Sequence, residues 1–238
     1  QSGVRGYPSA TWCFHPSFRL LREKLLHSRE SVNSVHYHYA GYLPFWHPWE
    51  QYWRFYAGQR KTSAAREMVP FEMEALCWVF GPVKEVCAQH GRARKWKTKM
   101  DDHYHILLEF EAGISGSLLI ELHQPAPFRF ANISCKDTSY QFDGARHLVK
   151  EFRLADGTWK VHYPPSRRVL GSFDFEEVYY EEMKHFVQAL TNKTPFVKTW
   201  EEDRHLSNIL YASELSRKRG RWIRIDDVEG AYSGKQWT

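Results

Sequence analysis

The sequence predicts an α+β domain: an open, mostly antiparallel β-sheet with helices packed on one face. Three observations carry this. From Val83 to about Tyr163, short alternating runs follow one another with only turn signals between them, the pattern of an antiparallel meander. Ahead of that region, apolar residues recur at helical spacing. After it, the chain closes on two amphipathic segments, each opened by a capping-box pattern.

The first element is a helix over Pro16–Ser28, where Phe18, Leu21, Leu25 and Leu26 keep helical spacing behind a proline suited to the first turn. A strand over Ser34–Ala40 follows; alternation puts His36 and His38 on one face and Val35, Tyr37 and Tyr39 on the other. Tyr42–Glu50 (YLPFWHPWE) holds two prolines in an aromatic cluster and reads as an ordered loop. Thr62 is the expected cap of a helix running to Phe80, kinked at Pro70 and stopped by Gly81-Pro82.

The alternating runs are Val83–Ala88, Tyr104–Phe110, Ser115–Leu122, Phe128–Cys135, Ser139–Phe142 and His147–Leu154, separated by Glu111–Gly113, Lys136-Asp137 and Asp156-Gly157. Capping boxes are expected at Asp174 with Glu177 and at Thr199 with Glu202. Gly220 ends the last helix, and Arg221–Ile225 reads as a closing strand.

At 238 residues the chain can bury roughly 70% of its unfolded surface, and 16% aromatic and 26% charged residues mark a folded protein. No apolar run approaches the ~20 residues of a membrane helix, and no signal-peptide order opens the chain. Cys13, Cys77, Cys87 and Cys135 lack CxxC spacing and suit reduced, buried thiols, so a cytoplasmic protein is expected. The net charge of +5 is dispersed apart from Arg92–Lys97 and Ser216–Arg219, without the continuous basic and aromatic face that nucleic acid would require.

The motifs FHP (Phe14–Pro16), YLPFWHPWE (Tyr42–Glu50), WVFG (Trp78–Gly81), YEEMKHF (Tyr180–Phe186) and ASELS (Ala212–Ser216) stand in the order used by Gfo/Idh/MocA oxidoreductases, which the chain resembles. The resemblance implies their C-terminal domain, similar to that of dihydrodipicolinate reductase, which covers a nicotinamide and pairs into homodimers or tetramers through its sheet. It also implies NAD or NADP in the intact enzyme and a sugar or nucleotide-sugar substrate. The family's N-terminal GxGxxG turn and Glu-Lys-Pro segment do not occur here, and Gly113–Gly116 fits a hairpin better than a phosphate loop. The whole chain, residues 1–238, is thus expected to be one substrate and oligomerisation domain, without a Rossmann domain, without cofactor of its own and inactive alone.

The family's helix carries a general acid/base histidine, and alignment from WVFG puts Phe71 at that position, where no proton can be exchanged. Helical spacing sets Glu67 and Glu74 on the face of Phe71, with Arg66 and Glu72 beside it. Glu67 is the expected catalytic substitute, since an apolar neighbour raises a carboxyl pKa; the plainer account is a solvated or ion-paired helix face. Substrate contacts are expected from Trp46, His47, Glu50, Tyr52, Arg66, Glu72 and Glu74, against the alternative that the aromatic residues form a satellite core.

Two other readings stay open. One is a non-catalytic binding or dimerisation module. The other is a metal-dependent sheet enzyme using the His36/His38 and His103/His105 pairs with His123 and Glu109 or Glu121, although no spacing enforces such a set and no metal ligand is assigned. Asp101-Asp102 reads as a structural, strand-leading acidic turn.

Overall fold

A computed structural model describes residues 5–164, 175–192 and 194–228. Its elements are α1 (Pro16–Ser28), β1 (Val32–Tyr42), α2 (Ala64–Phe80), β2 (Val83–Gly91), β3 (His103–Phe110), β4 (Ser115–Glu121), β5 (His123–Cys135), β6 (Thr138–Asp143), β7 (Leu148–Arg153), β8 (Thr158–His162), α3 (Phe175–Asn192), α4 (Trp200–Arg219) and β9 (Ile223–Arg224). Short 3-10 turns at Thr11–Phe14, Leu43–Phe45 and Tyr56–Gly58 join them.

Local chemistry sets the helix ends. Pro16 opens α1, and the His15 ring accepts the Ser17 amide at 3.2 Å. At α4 the Thr199 hydroxyl and the Glu202 carboxylate exchange hydrogen bonds with each other's backbone amides, and Gly220 ends the helix at φ 66. Gly81 likewise leaves α2 at φ 90, its N–H returning to the Cys77 carbonyl. The cap of α2 differs from expectation: Ser63 takes the position, and the Thr62 hydroxyl instead donates to the Tyr56 carbonyl at 2.7 Å. Asp174 of the other expected capping box lies outside the described residues.

The strands form one sheet in the order β8-β7-β6-β5-β1-β4-β3-β2-β9. Neighbours are antiparallel except β1 and β4, which run parallel with His38 opposite Leu119. This corrects the simple meander. β1 inserts between β4 and β5, so the chain must round the end of β1 at Leu122 to continue. Two smaller departures occur at the edges: β8 is an additional strand paired with β7, and the closing strand shortens to Ile223–Arg224 because only Glu85 and Val86 of β2 pair with it.

Alternation then divides the sheet. Val35, Tyr37, Tyr104, Ile106, Leu108, Leu118, Ile120, Ala131, Ile133, Tyr140 and Phe142 face a core shared with Phe18 and Leu21 of α1, Met73 and Leu76 of α2, and Ile209 of α4. Each Val, Leu, Ile, Phe or Met side chain buried there contributes about 1.5–3 kcal/mol. The opposite face carries His36, His38, His103, His105, Leu107, Leu119 and Glu121, all exposed or half-buried. A smaller cluster of Ala10, Cys13, Phe14 and Val178 attaches α3 through the first 3-10 turn.

Candidate functional site

Helix α2 is almost enclosed, with Met68, Val69, Glu72, Met73, Glu74, Ala75 and Leu76 all buried. A carboxylate in such a place must be paired. Glu72 accepts the Tyr37 hydroxyl at 2.6 Å and the Arg129 guanidinium at 2.8 and 3.2 Å. That guanidinium lies over the rings of Trp12 (4.6 Å) and Tyr39 (4.4 Å). Burial, with the neighbouring Glu72 charge, holds the Tyr37 hydroxyl well above its ordinary pKa, so it stays a donor.

Glu74 points elsewhere. It accepts the Trp12 amide at 2.8 Å and lies 3.4 Å from Lys198, which also binds Asp203 at 2.7 Å and the Ser9 carbonyl at 2.8 Å. Burial pushes its carboxyl up to about 7, outweighing the opposing pull of Lys198 and the Trp12 amide. Arg66 reaches to α4, where it pairs with Glu214 at 2.6 Å and lies against Tyr211.

Glu67 differs from both buried carboxylates. Among the described residues its hydrogen-bond partner is the Tyr56 hydroxyl at 3.2 Å, and partial burial raises its pKa although Tyr56 opposes this. The spacing that sets Glu67, Phe71 and Glu74 on one helical face is correct, but the face is divided. Trp12 packs on Phe71 at 5.4 Å and its backbone caps Glu74, which leaves only Glu67 at the open end.

The aromatic loop lies beside that end. His47 meets Trp49 edge-on at 5.3 Å and Phe55 at 4.9 Å, and Phe55 leads to Tyr56. Trp46 packs on the core and hydrogen-bonds Tyr39, whereas Trp49 and Glu50 are exposed. Tyr52 turns toward Trp53 and Trp96 and accepts the Lys97 amide at 3.1 Å. Gly58 closes the loop: a Cβ there would collide with the Tyr52 carbonyl oxygen, which requires glycine.

The structure therefore brings together Glu67, Tyr56, Phe55, His47 and Trp49, and separates them from Arg66, Glu72 and Glu74, whose side chains are committed to internal pairs. A groove of about 420 Å³ between α1 and α3, lined by residues such as Phe14, Arg19, Tyr180 and Lys184, includes none of the expected site residues. Tyr56 and Arg129 were not anticipated. Arg129 was within reach, because alternation from Ile133 and Ala131 already sets it on the core face of β5. Asp101 binds His90 at 2.8 Å, and Asp102 binds the Ala93 and Arg94 amides, the Trp96 indole and His103.

Residues 31–146 match the family model described as the GFO/IDH/MocA C-terminal domain. No curated protein sequence matches the chain significantly. Among solved structures, levoglucosan dehydrogenase in complex with NADH and levoglucosan is similar at TM-score 0.76 and 13% identity, covering 90% of this chain and 65% of its own. An NAD binding oxidoreductase from Klebsiella pneumoniae gives 0.73 and 15%, covering 91% and 65%. An oxidoreductase from Agrobacterium radiobacter in complex with NAD+, L-tartaric acid and magnesium gives 0.73 and 13%, covering 92% and 64%. The chain thus spans just under two thirds of the length of these structures and shares the fold of that part. The segment 31–146, which holds α2 and strands β1 to β6, is thus similar to the C-terminal domain of the GFO/IDH/MocA family.

Proposed function

We propose that the chain is the substrate-side domain of an NAD(P)-dependent oxidoreductase acting on a sugar or nucleotide-sugar derivative. The observation that carries the reading is Glu67: an exposed carboxyl whose pKa is raised by the groups packed around it, without a cationic partner among the described residues, at the open end of α2 beside an aromatic loop. Oxidation of a secondary alcohol releases a hydroxyl proton and a hydride. Glu67 takes the proton and returns it in the reverse direction. His47 and Trp49 offer ring faces and edges to the sugar, Glu50 bonds its hydroxyls, and Trp46 and Tyr52 support the loop from behind.

The described residues do not fit a dinucleotide. Gly113–Gly116 lies at the β3–β4 hairpin, and among the described residues no glycine turn leads from a strand into a helix N-terminus as a pyrophosphate requires. A nicotinamide held by a separate domain would supply the hydride acceptor, and this chain alone would be inactive. Several features support the remaining parts of the reading. Leu107, Phe128, Trp159 and Val161 are exposed on the outer sheet face or its edge strand, as pairing of two copies through the sheet would require. The four cysteines are free, as in a cytoplasmic protein, and no helix among the described residues is long and apolar enough to cross a membrane.

Phe71, packed on Trp12 where the family's histidine is expected, favours a second reading, a binding module without turnover. One experiment separates them. With the chain joined to a nicotinamide-binding domain, NAD(P)H absorbance is followed over a panel of sugars, polyols and nucleotide sugars. Saturable turnover with one of them supports the first reading; tight sugar binding without hydride transfer replaces it with the second.

A further inference from the structure

The detour of the chain around β1 gathers a second group of side chains. The Leu122 amide bonds the Asp102 carbonyl at 2.8 Å, the Leu122 carbonyl accepts the Leu43 amide at 3.1 Å, and His123 pairs with Tyr42. His123 is thereby fixed beside the turn that leads into β3. Asp102, fully buried, is held there by the Ala93 and Arg94 amides and by the Trp96 indole at 2.6 Å.

Asp102 Oδ1 lies 2.9 Å from His103 Nδ1 and 3.7 Å from His123 Nδ1, and one ligand atom from each of the three residues lies within 4.8 Å of the other two. Four-coordinate zinc with bonds of 2.0–2.1 Å spaces its ligand atoms roughly 3.3 Å apart, between the two shorter separations. The His123 Nδ1 atom is buried and has no hydrogen-bond partner among the described residues, a cost of about 1–3 kcal/mol if nothing binds it.

The surroundings set its tautomer. Glu121 Oε1 lies 3.8 Å from His123 Nε2 and 3.6 Å from His105 Nε2, while Glu121 Oε2 binds His38 Nε2 at 2.9 Å. A carboxylate on that side favours the Nε2–H form of His123, which turns the Nδ1 lone pair toward Asp102 and His103. Both histidines keep about a fifth of their side chains exposed (23% and 21%), so an ion has an entry path and room for water as a further ligand.

We propose that Asp102, His103 and His123 form a site for a divalent transition-metal ion of the zinc type, with Glu121 as the outer carboxylate that orients His123. Two imidazole nitrogens and one carboxylate suit zinc, cobalt or nickel and not magnesium or calcium. Binding displaces the proton that His103 shares with Asp102. The ion clips the connection between β2 and β3 to the crossover at His123.

The test is calorimetric titration of the chelator-treated chain with zinc alone. The expected result is one ion per chain, with affinity reduced at least ~10-fold by His123→Ala and about 10-fold by Glu121→Gln. His36→Ala, on the same face but bound to Ser117, leaves it unchanged. Nitrogen NMR of the unsubstituted protein, which does not depend on a variant folding, should show zinc shifting the His103 and His123 imidazoles. Absence of saturable binding, a folded His123→Ala variant that binds zinc as before, or shifts confined to other histidines would each overturn the assignment.

Discussion

Replacing Arg129 by Met tests how α2 is held. Glu72 is fully buried and Arg129 keeps 16% of its side chain exposed, so neither charge is solvated well enough to stand alone. Met retains much of the contact with Trp12 and Tyr39 but leaves the Glu72 carboxylate with only the Tyr37 hydroxyl. Removing one partner of a buried pair costs about 3–5 kcal/mol, because the other charge stays in the core uncompensated. With a urea dependence of roughly 3 kcal/mol/M, the midpoint should fall by about 1–2 M. The double variant Arg129→Met with Glu72→Gln removes both charges and should recover most of that loss. A single variant that loses under ~1 kcal/mol, or a double variant as unstable as the single one, would refute the view that this pair fixes the helix.

Glu74→Gln should change how stability depends on pH. The Glu74 carboxyl is raised from 4.5 to about 7 in the folded chain, so its contribution is full below pH 4.5 and is lost as pH rises through 7. At 1.36 kcal/mol per pH unit the loss is on the order of 3 kcal/mol, and thermal melts of the Gln variant should lack that slope; parallel curves would contradict the assignment. Thr199→Ala removes one side of the α4 capping box and should cost about 0.5–2 kcal/mol in urea unfolding, with no effect expected on ligand binding.

Local rules account for much of the fold and little of the site. Pro16, Gly81, Gly220 and the Thr199/Glu202 pair marked helix ends because capping depends on residues a few positions apart. The place of β1 between β4 and β5 was not legible, since alternation specifies which face a residue takes and not which strand lies beside it. The same limit explains the site. Helical spacing correctly grouped Glu67, Phe71 and Glu74, but Trp12 and Lys198, distant in sequence, decide which of them is enclosed. Arg129 carried a readable signal, a cation at a core-facing strand position. Its partner Glu72 could be named only as a neighbour on α2 until the sheet brought the two together.

The central claim is that Glu67 moves the substrate proton, and the kcat and KM of Glu67→Gln test it most directly, measured with the chain joined to a nicotinamide-binding domain on the sugar that the substrate panel identifies. Loss of a general acid/base should lower kcat by about 100-fold or more, since such groups contribute 10²–10⁴-fold, while KM changes by only a few fold. The pH profile should also lose the limb that Glu67 provides in the unsubstituted protein. A Gln variant with unchanged kcat and an unchanged pH profile would contradict the account and remove Glu67 from the reaction.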